Sequence, residues 1–453
     1  STSSSLRGHR DGVACLALQP RSVATSASLL ASGSDDSTVR LWDMRSARSV
    51  RLLGPTVFEG AVPVSVAFSP KRSHDIAAVA GGRLLFFDLR SERVILDEAR
   101  CAIDVLDDGS SYSYGEEEEE EEDADAEVEV GEEASDADDD EINAVSYSPD
   151  GAFVATADDG GEINVFERRR GGSDWARRAC IVGHDNIASA AAWCPAAPRR
   201  AVAGGLSPLP PLPLLLSGAF DMTVALWQLR RPSADPAVPP PRSCVRRCAI
   251  EGGDEGEDGG QLLNPPFVHA VAWSESGDAF AVGGGDGDVR LFWRRAADGG
   301  ALAGVGDGGG DGGSGSDGDG GSGSGSGSGS DEEEEQWALE VGGDDWGCGD
   351  PLRLTGGHSA AVNVVHWAQR TDGDSGDGDG DDRAAQLLLS AGEDRSAVLW
   401  RVPSRAGDLA SGAPRVMARI ALPRKPNCAV AIGSDVVVVG DTSKELHVFR
   451  LKH

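Results

Sequence analysis

Residues 30 to 45, Leu-Ala-Ser-Gly-Ser-Asp-Asp-Ser-Thr-Val-Arg-Leu-Trp-Asp-Met-Arg, spell a β-hairpin, with Leu30 to Ser34 outgoing, Ser34 to Ser37 as a polar turn and Thr38 to Asp43 returning. A lone hairpin leaves its apolar face in water, so the constraint lies in its recurrence. The pattern returns at Leu215 to Trp227 and at Leu389 to Trp400. In these three copies Asp36, Asp221 and Asp394 each stand six residues before Trp42, Trp227 and Trp400, and a Gly-His pair ending in His9, His184 or His358 opens the unit upstream. Phe87, Phe166, Phe292 and Phe449 stand where that Trp would in further copies, giving seven units in all. Units that cannot bury their faces singly must stack on one another.

These residues resemble the WD-repeat family, although only the first copy keeps the literal dipeptide, as Trp42-Asp43. The resemblance implies an all-β fold, a seven-bladed β-propeller occupying residues 1–453 as a single domain. Six stretches read as insertions: 104–141, 206–213, 232–243, 251–263, 297–350 and 371–384. Without them about 45 residues remain per unit, the size of a four-stranded blade. The last unit supplies about three strands of its own, so residues near 3 to 7 are expected to complete it, closing the ring and removing exposed sheet edges.

The formal net charge of −34 is unevenly placed. Forty-six of the 75 carboxylates fall in residues 104–141, 251–258, 298–350 and 372–382, which contain no Lys or Arg. The remainder carries 29 acids against 41 bases, so the acidity belongs to the loops. The acidic 104–141 run and the Gly/Ser/Asp-rich 297–350 insertion have compositions that do not offset ordering entropy, and disorder is expected there. The body is net basic, but acidic loops would compete for that surface, and no direct nucleic-acid binding is expected.

Eight Cys are scattered singly, without zinc or redox spacing, which favours reduced thiols in a nuclear or cytoplasmic protein. No signal peptide or membrane-spanning run is present, and the apolar stretch Leu209 to Leu216 is short and broken by Pro. The chain opens on Ser1 rather than Met, so upstream residues are expected. Gly308 to Gly313 mimics a nucleotide loop without a leading strand or a following helix and Lys. Asp372 to Asp382 lacks the Gly and Glu of a calcium loop. No cofactor and no metal are expected.

His9, Ser32, Asp36 and Trp42 are candidates for a hydrogen-bond chain pinning their unit. His184, Ser217, Asp221 and Trp227 match that set, as do His358, Ser390, Asp394 and Trp400. Identical His/Asp pairs on three separate blades do not make one active site, so the structural role is expected and catalysis is not. Unit two turns on Gly81-Gly82 without the Asp, and is expected to be held by packing alone.

The stretch ending Trp42-Asp43-Met44-Arg45 resembles the box of WD-repeat substrate receptors for cullin-4 ubiquitin ligases. Phe87-Asp88-Leu89-Arg90 is a near-copy. The resemblance implies docking on the adaptor damage-specific DNA-binding protein 1 through Trp42, Asp43, Arg45, Asp88 and Arg90, with an unidentified protein substrate held elsewhere and the chain a monomer within the larger complex. Arg168 to Arg170, Arg230, Arg231, Arg294, Arg295 and Arg401 sit at equivalent corners and suggest a basic ring on the same face. Asp140 to Asn143 with Ala155 to Ile163, Gly260 to Pro265 and the closing unit are similar to the WD repeat-containing protein 53 family, whose members are regarded as candidate cullin-4 receptors. The alternative is a general scaffold in chromatin or ribosome assembly that binds a basic peptide or protein.

Overall fold

The computed structural model describes residues 2–23, 29–106, 141–169, 174–195, 214–228, 244–250, 264–293, 351–369, 385–403 and 413–451. The 104–141 insertion beyond Leu106, nearly all of 297–350 and most of the smaller insertions lie outside them.

Among the described residues, twenty-nine strands form seven sheets, one per unit. The opening hairpin is β3 (Leu29–Ser34) and β4 (Thr38–Asp43), paired Leu30 to Trp42 and Ser34 to Thr38. With β2 (Val13–Leu18) and β5 (Arg48–Leu53) it makes blade one. The seven inner strands share one irregularity, a register shift after the first paired residue, as at Val13/Cys15, Pro63/Ser65 and Val362/Val364. Such bulges sharpen the local twist, which a tightly wound inner strand requires.

Each seam between neighbouring blades holds its own apolar cluster. Blades one and two bury Leu41, Leu53, Phe58 and Phe87 together, and blades two and three bury Phe86, Tyr147 and Trp175. At the last seam Val430 and Val448 meet Val13, Leu30 and Trp42 of blade one. At roughly 1.5–3 kcal/mol per fully buried large apolar side chain, these seams dominate the stabilisation. They also run unbroken around the ring.

The ring is closed by its first strand. Strand β1 (Thr2–Arg7) pairs antiparallel with β29 (Glu445–Arg450), Leu6 opposite Leu446, and completes blade seven. Leu6 is buried in the seam it shares with blade one.

Two features depart from the sequence reading. Between β8 (Arg83–Asp88) and β10 (Cys101–Asp104) of blade two, the chain crosses to the neighbouring sheet and lays β9 (Ile95–Leu96) parallel to β5, giving blade one a fifth strand. Cys248 is disulfide-bonded, so reduced thiols do not describe every cysteine. Cys15, Cys101, Cys180, Cys194 and Cys428 are free. Among the described residues no helix is long and apolar enough to cross a membrane.

Candidate docking surface

The three His-bearing sets are each assembled in one blade. Trp42 Nε1–H donates to Ser32 Oγ at 2.8 Å, Ser32 Oγ lies 2.7 Å from His9 Nε2, and His9 Nδ1 lies 3.1 Å from Asp36 Oδ2. Trp227, Ser217, His184 and Asp221 repeat this at 2.7, 2.7 and 2.9 Å, and Trp400, Ser390, His358 and Asp394 at 2.8, 2.8 and 3.1 Å. One proton order satisfies every member: the indole donates to Ser, Ser to His Nε2, and His Nδ1–H to Asp. Burial alone would raise the Asp221 pKa, but hydrogen bonds from His184 and Thr223 outweigh it and bring it to about 2. The glycine before each His is fitted to the indole, and a Cβ at Gly183 would come within 2.3 Å of Trp227.

Blades without this set use other means. In blade five Arg290, 1% exposed, donates to Asp286 at 3.0 Å. In blade three Asn164 donates to Asp158 at 3.0 Å.

At the corner after β4, Asp43 accepts the backbone N–H of Arg45 at 3.0 Å and the Ser46 hydroxyl at 2.9 Å, a carboxylate-capped turn. These contacts hold its carboxyl below the usual range. The Arg45 side chain is left 66% exposed. The corner after β8 repeats the turn: Asp88 accepts the Arg90 backbone N–H at 3.0 Å, and Arg90 is 64% exposed. Here the guanidinium folds back, Arg90 Nε lying 3.0 Å from both Asp88 oxygens, and holds the carboxyl down at about 2. Trp42, expected at the docking surface, is instead 1% exposed and committed to Ser32. The surface elements of the two boxes are therefore Asp43, Arg45, Asp88 and Arg90.

The basic ring is corrected. Arg168 is not a solvated corner: its side chain is 9% exposed, its Nη2 donates to Asp75 of blade two at 2.8 Å, and its guanidinium lies 5.4 Å from the centre of the Trp175 ring. Arg401 lies within β25 (Ser396–Pro403), opposite Arg415, because that strand runs three residues past Trp400. Arg169 is exposed, and Arg170, Arg230, Arg231, Arg294 and Arg295 lie outside the described residues.

Blade two is not held by packing alone. Asp75, at the head of β7 (Asp75–Ala80), faces Asp88 directly across the sheet, a repulsive pairing of like charges. Arg100 Nη1 bridges them at 3.7 Å from Asp75 and 3.6 Å from Asp88, and Arg168 adds the bond from blade three. His74 Nε2 stands 3.5 Å from Asp75, and His74, Asp75 and Asp88 bring ligand-type atoms within 4.8 Å of one another. The surrounding guanidinium groups already supply the cationic charge, which argues against a metal ion.

Three stretches, residues 1–43, 134–167 and 263–292, match the family model described as WD domain, G-beta repeat. The WD repeat-containing protein 53 homolog of Dictyostelium discoideum is 22% identical over 290 residues, covering 63% of this chain and 62% of that protein. Ribosome biogenesis protein BOP1 of Homo sapiens is 42% identical over 74 residues, 16% of this chain and 9% of that protein. WD repeat-containing protein 18 of Bos taurus is 54% identical over 52 residues, 11% of either chain. The matched region thus spans less than two thirds of each of these curated relatives. A closed ring of seven such sheets, pinned in three of them from indole to carboxylate, is similar in architecture to the WD-repeat β-propellers, whose repeat model three stretches of the chain match.

Proposed function

We propose that this propeller is a non-enzymatic interaction scaffold that docks on damage-specific DNA-binding protein 1, the adaptor of cullin-4 ubiquitin ligases, and holds a protein substrate on another surface. The observation that carries this reading is the pair of adjacent corners at which Asp43 and Asp88 are spent on the turn while Arg45 and Arg90 stand about two-thirds exposed. Exposed guanidinium groups at fixed positions suit recognition of carboxylates, Arg45 directly and Arg90 by exchanging its Asp88 partner. The scaffold would raise the effective concentration of substrate at the ligase and carry out no bond chemistry itself. Action in the nucleus or cytoplasm follows from this reading.

Similarity to BOP1, a ribosome biogenesis protein, favours a second reading, a scaffold in ribosome assembly. Affinity purification of the full chain followed by mass spectrometry separates the two. The adaptor and cullin-4 are expected to co-purify, whereas ribosome-assembly proteins without the adaptor would support the second reading.

A further inference from the structure

The pattern Arg-Ser-x-Arg occurs at Arg45 to Arg48, Arg48 to Arg51 and Arg90 to Arg93, and nowhere else in the chain. All of these copies fall on the two corners that carry Arg45 and Arg90. The corners are also joined physically. The Arg51 guanidinium donates to the Arg93 carbonyl oxygen, and just beyond Arg93 the chain pairs with β5 as β9. Arg45, Arg48, Arg90 and Arg93 stand exposed around the serines.

The three hydroxyls are not equivalent. Ser46 sits in the tight turn between β4 and β5, where Asp43 pairs with Arg48, and its hydroxyl is spent on Asp43 at 2.9 Å. Ser49 lies within β5, opposite Trp42. Ser91 instead lies on the connector 89–100, ahead of β9, and its Oγ accepts the Arg93 backbone N–H at 3.2 Å. Residues 90, 92, 93 and 94 around it are all exposed. A protein kinase takes its acceptor segment in extended form, and this stretch can be drawn out without opening a sheet, whereas those of Ser46 and Ser49 cannot.

We propose that Ser91 is a phosphorylation site for a serine kinase that reads Arg on both sides of its acceptor, and that the modification closes the docking face. The Ser91 oxygen attacks the γ-phosphorus of ATP, the bond from that phosphorus to the β–γ bridging oxygen breaks, ADP leaves, and the hydroxyl proton passes through the kinase's base to solvent. Before modification Asp88 and Glu92 balance Arg90 and Arg93, so Arg90 can trade Asp88 for a partner's carboxylate. The phosphate brings a charge of about −2 and three acceptor oxygens to the residue next to Arg90. Held on the chain itself, it outcompetes an incoming carboxylate for Arg90 and Arg93 and turns the corner net negative. The adaptor as the excluded partner rests on the docking reading; the modification does not.

Full-length chain expressed in cultured eukaryotic cells and purified under phosphatase inhibition is expected to carry phosphate on Ser91 by tandem mass spectrometry, and an Arg93→Gln variant to carry less. No phosphate on Ser91 overturns the proposal. Full-length chain with phosphoserine installed at position 91 during translation is then compared with unmodified chain. In a 31P NMR titration the second phosphate pKa is expected below its ordinary value of about 6, returning toward it in Arg93→Gln. A pKa at the ordinary value in both overturns capture of the arginines. The same phosphoserine is expected to lower affinity for the purified adaptor about tenfold at unchanged Tm, while Ser91→Ala binds as wild type does. Equal affinity with and without the phosphate overturns the switch. If unmodified chain binds no adaptor, the docking reading fails, and the mass and NMR results still decide on the site.

Discussion

Arg168 of blade three and Asp75 of blade two, 93 residues apart in sequence, share a 2.8 Å hydrogen bond with both side chains more than nine-tenths buried. Removing one member of a buried pair leaves the other uncompensated. Asp75→Ala is therefore expected to cost about 3–5 kcal/mol in urea unfolding. Joint replacement by Asp75→Ala and Arg168→Met is expected to recover much of the loss. Additive losses in the double variant would contradict a direct pairing.

The serine of each indole-to-carboxylate chain serves two neighbours at once. Ser217→Ala strands both the Trp227 N–H and His184 Nε2, with an expected loss of about 2–3 kcal/mol. Ser32→Ala and Ser390→Ala are expected to behave alike, since the distances repeat within 0.1 Å. Chemical denaturation of the three single variants, with circular dichroism as the signal, checks this.

Acid should act in part through His366. Burial pushes its pKa down to about 4 from the ordinary 6.5 of a histidine, and its Nδ1 accepts the Ala431 N–H at 3.2 Å. A histidine kept neutral when folded contributes stability that is complete above pH 6.5 and is lost as pH falls toward 4. The whole shift corresponds to about 3 kcal/mol. Unfolding free energies measured at pH 7 and pH 4.5 are expected to differ less in His366→Gln than in wild type. Asp221, held at about 2, adds a second decline between pH 4 and pH 2, because its stabilising charge is lost only there.

Ring closure depends on a short segment. Leu6→Asp places a charge in the seam of blades one and seven and is expected to lower Tm by several degrees and expose the edge of β29. Thermal unfolding with light scattering distinguishes this from a local change, since an opened edge promotes association.

The hairpins, the seven units and the closing strand were legible because their signals are local. Turn residues, alternation and the six-residue step from Asp36 to Trp42 lie within one unit. The His-to-Asp sets were legible for the same reason, as their members recur at fixed offsets. Asp75 with Arg168 was not, because the pair belongs to no repeat and is made across a seam by two blades whose packing angle no spacing encodes. That is also why Arg168 read as a solvated corner and blade two as held by packing alone. The β9 strand escaped notice because two residues in parallel pairing carry no periodicity. Trp42 carried a docking motif and a structural motif together, and its burial decides for the second.

The central claim is tested most directly by titrating purified damage-specific DNA-binding protein 1 into the full-length chain and into an Arg45→Ala, Arg90→Ala double variant. Both substitutions fall on exposed side chains, so the variant is expected to keep the wild-type Tm. The account predicts saturable, salt-sensitive binding by wild type and a loss of tenfold or more, roughly, in the variant. Equal affinity of the two proteins, or no binding by wild type, would contradict it.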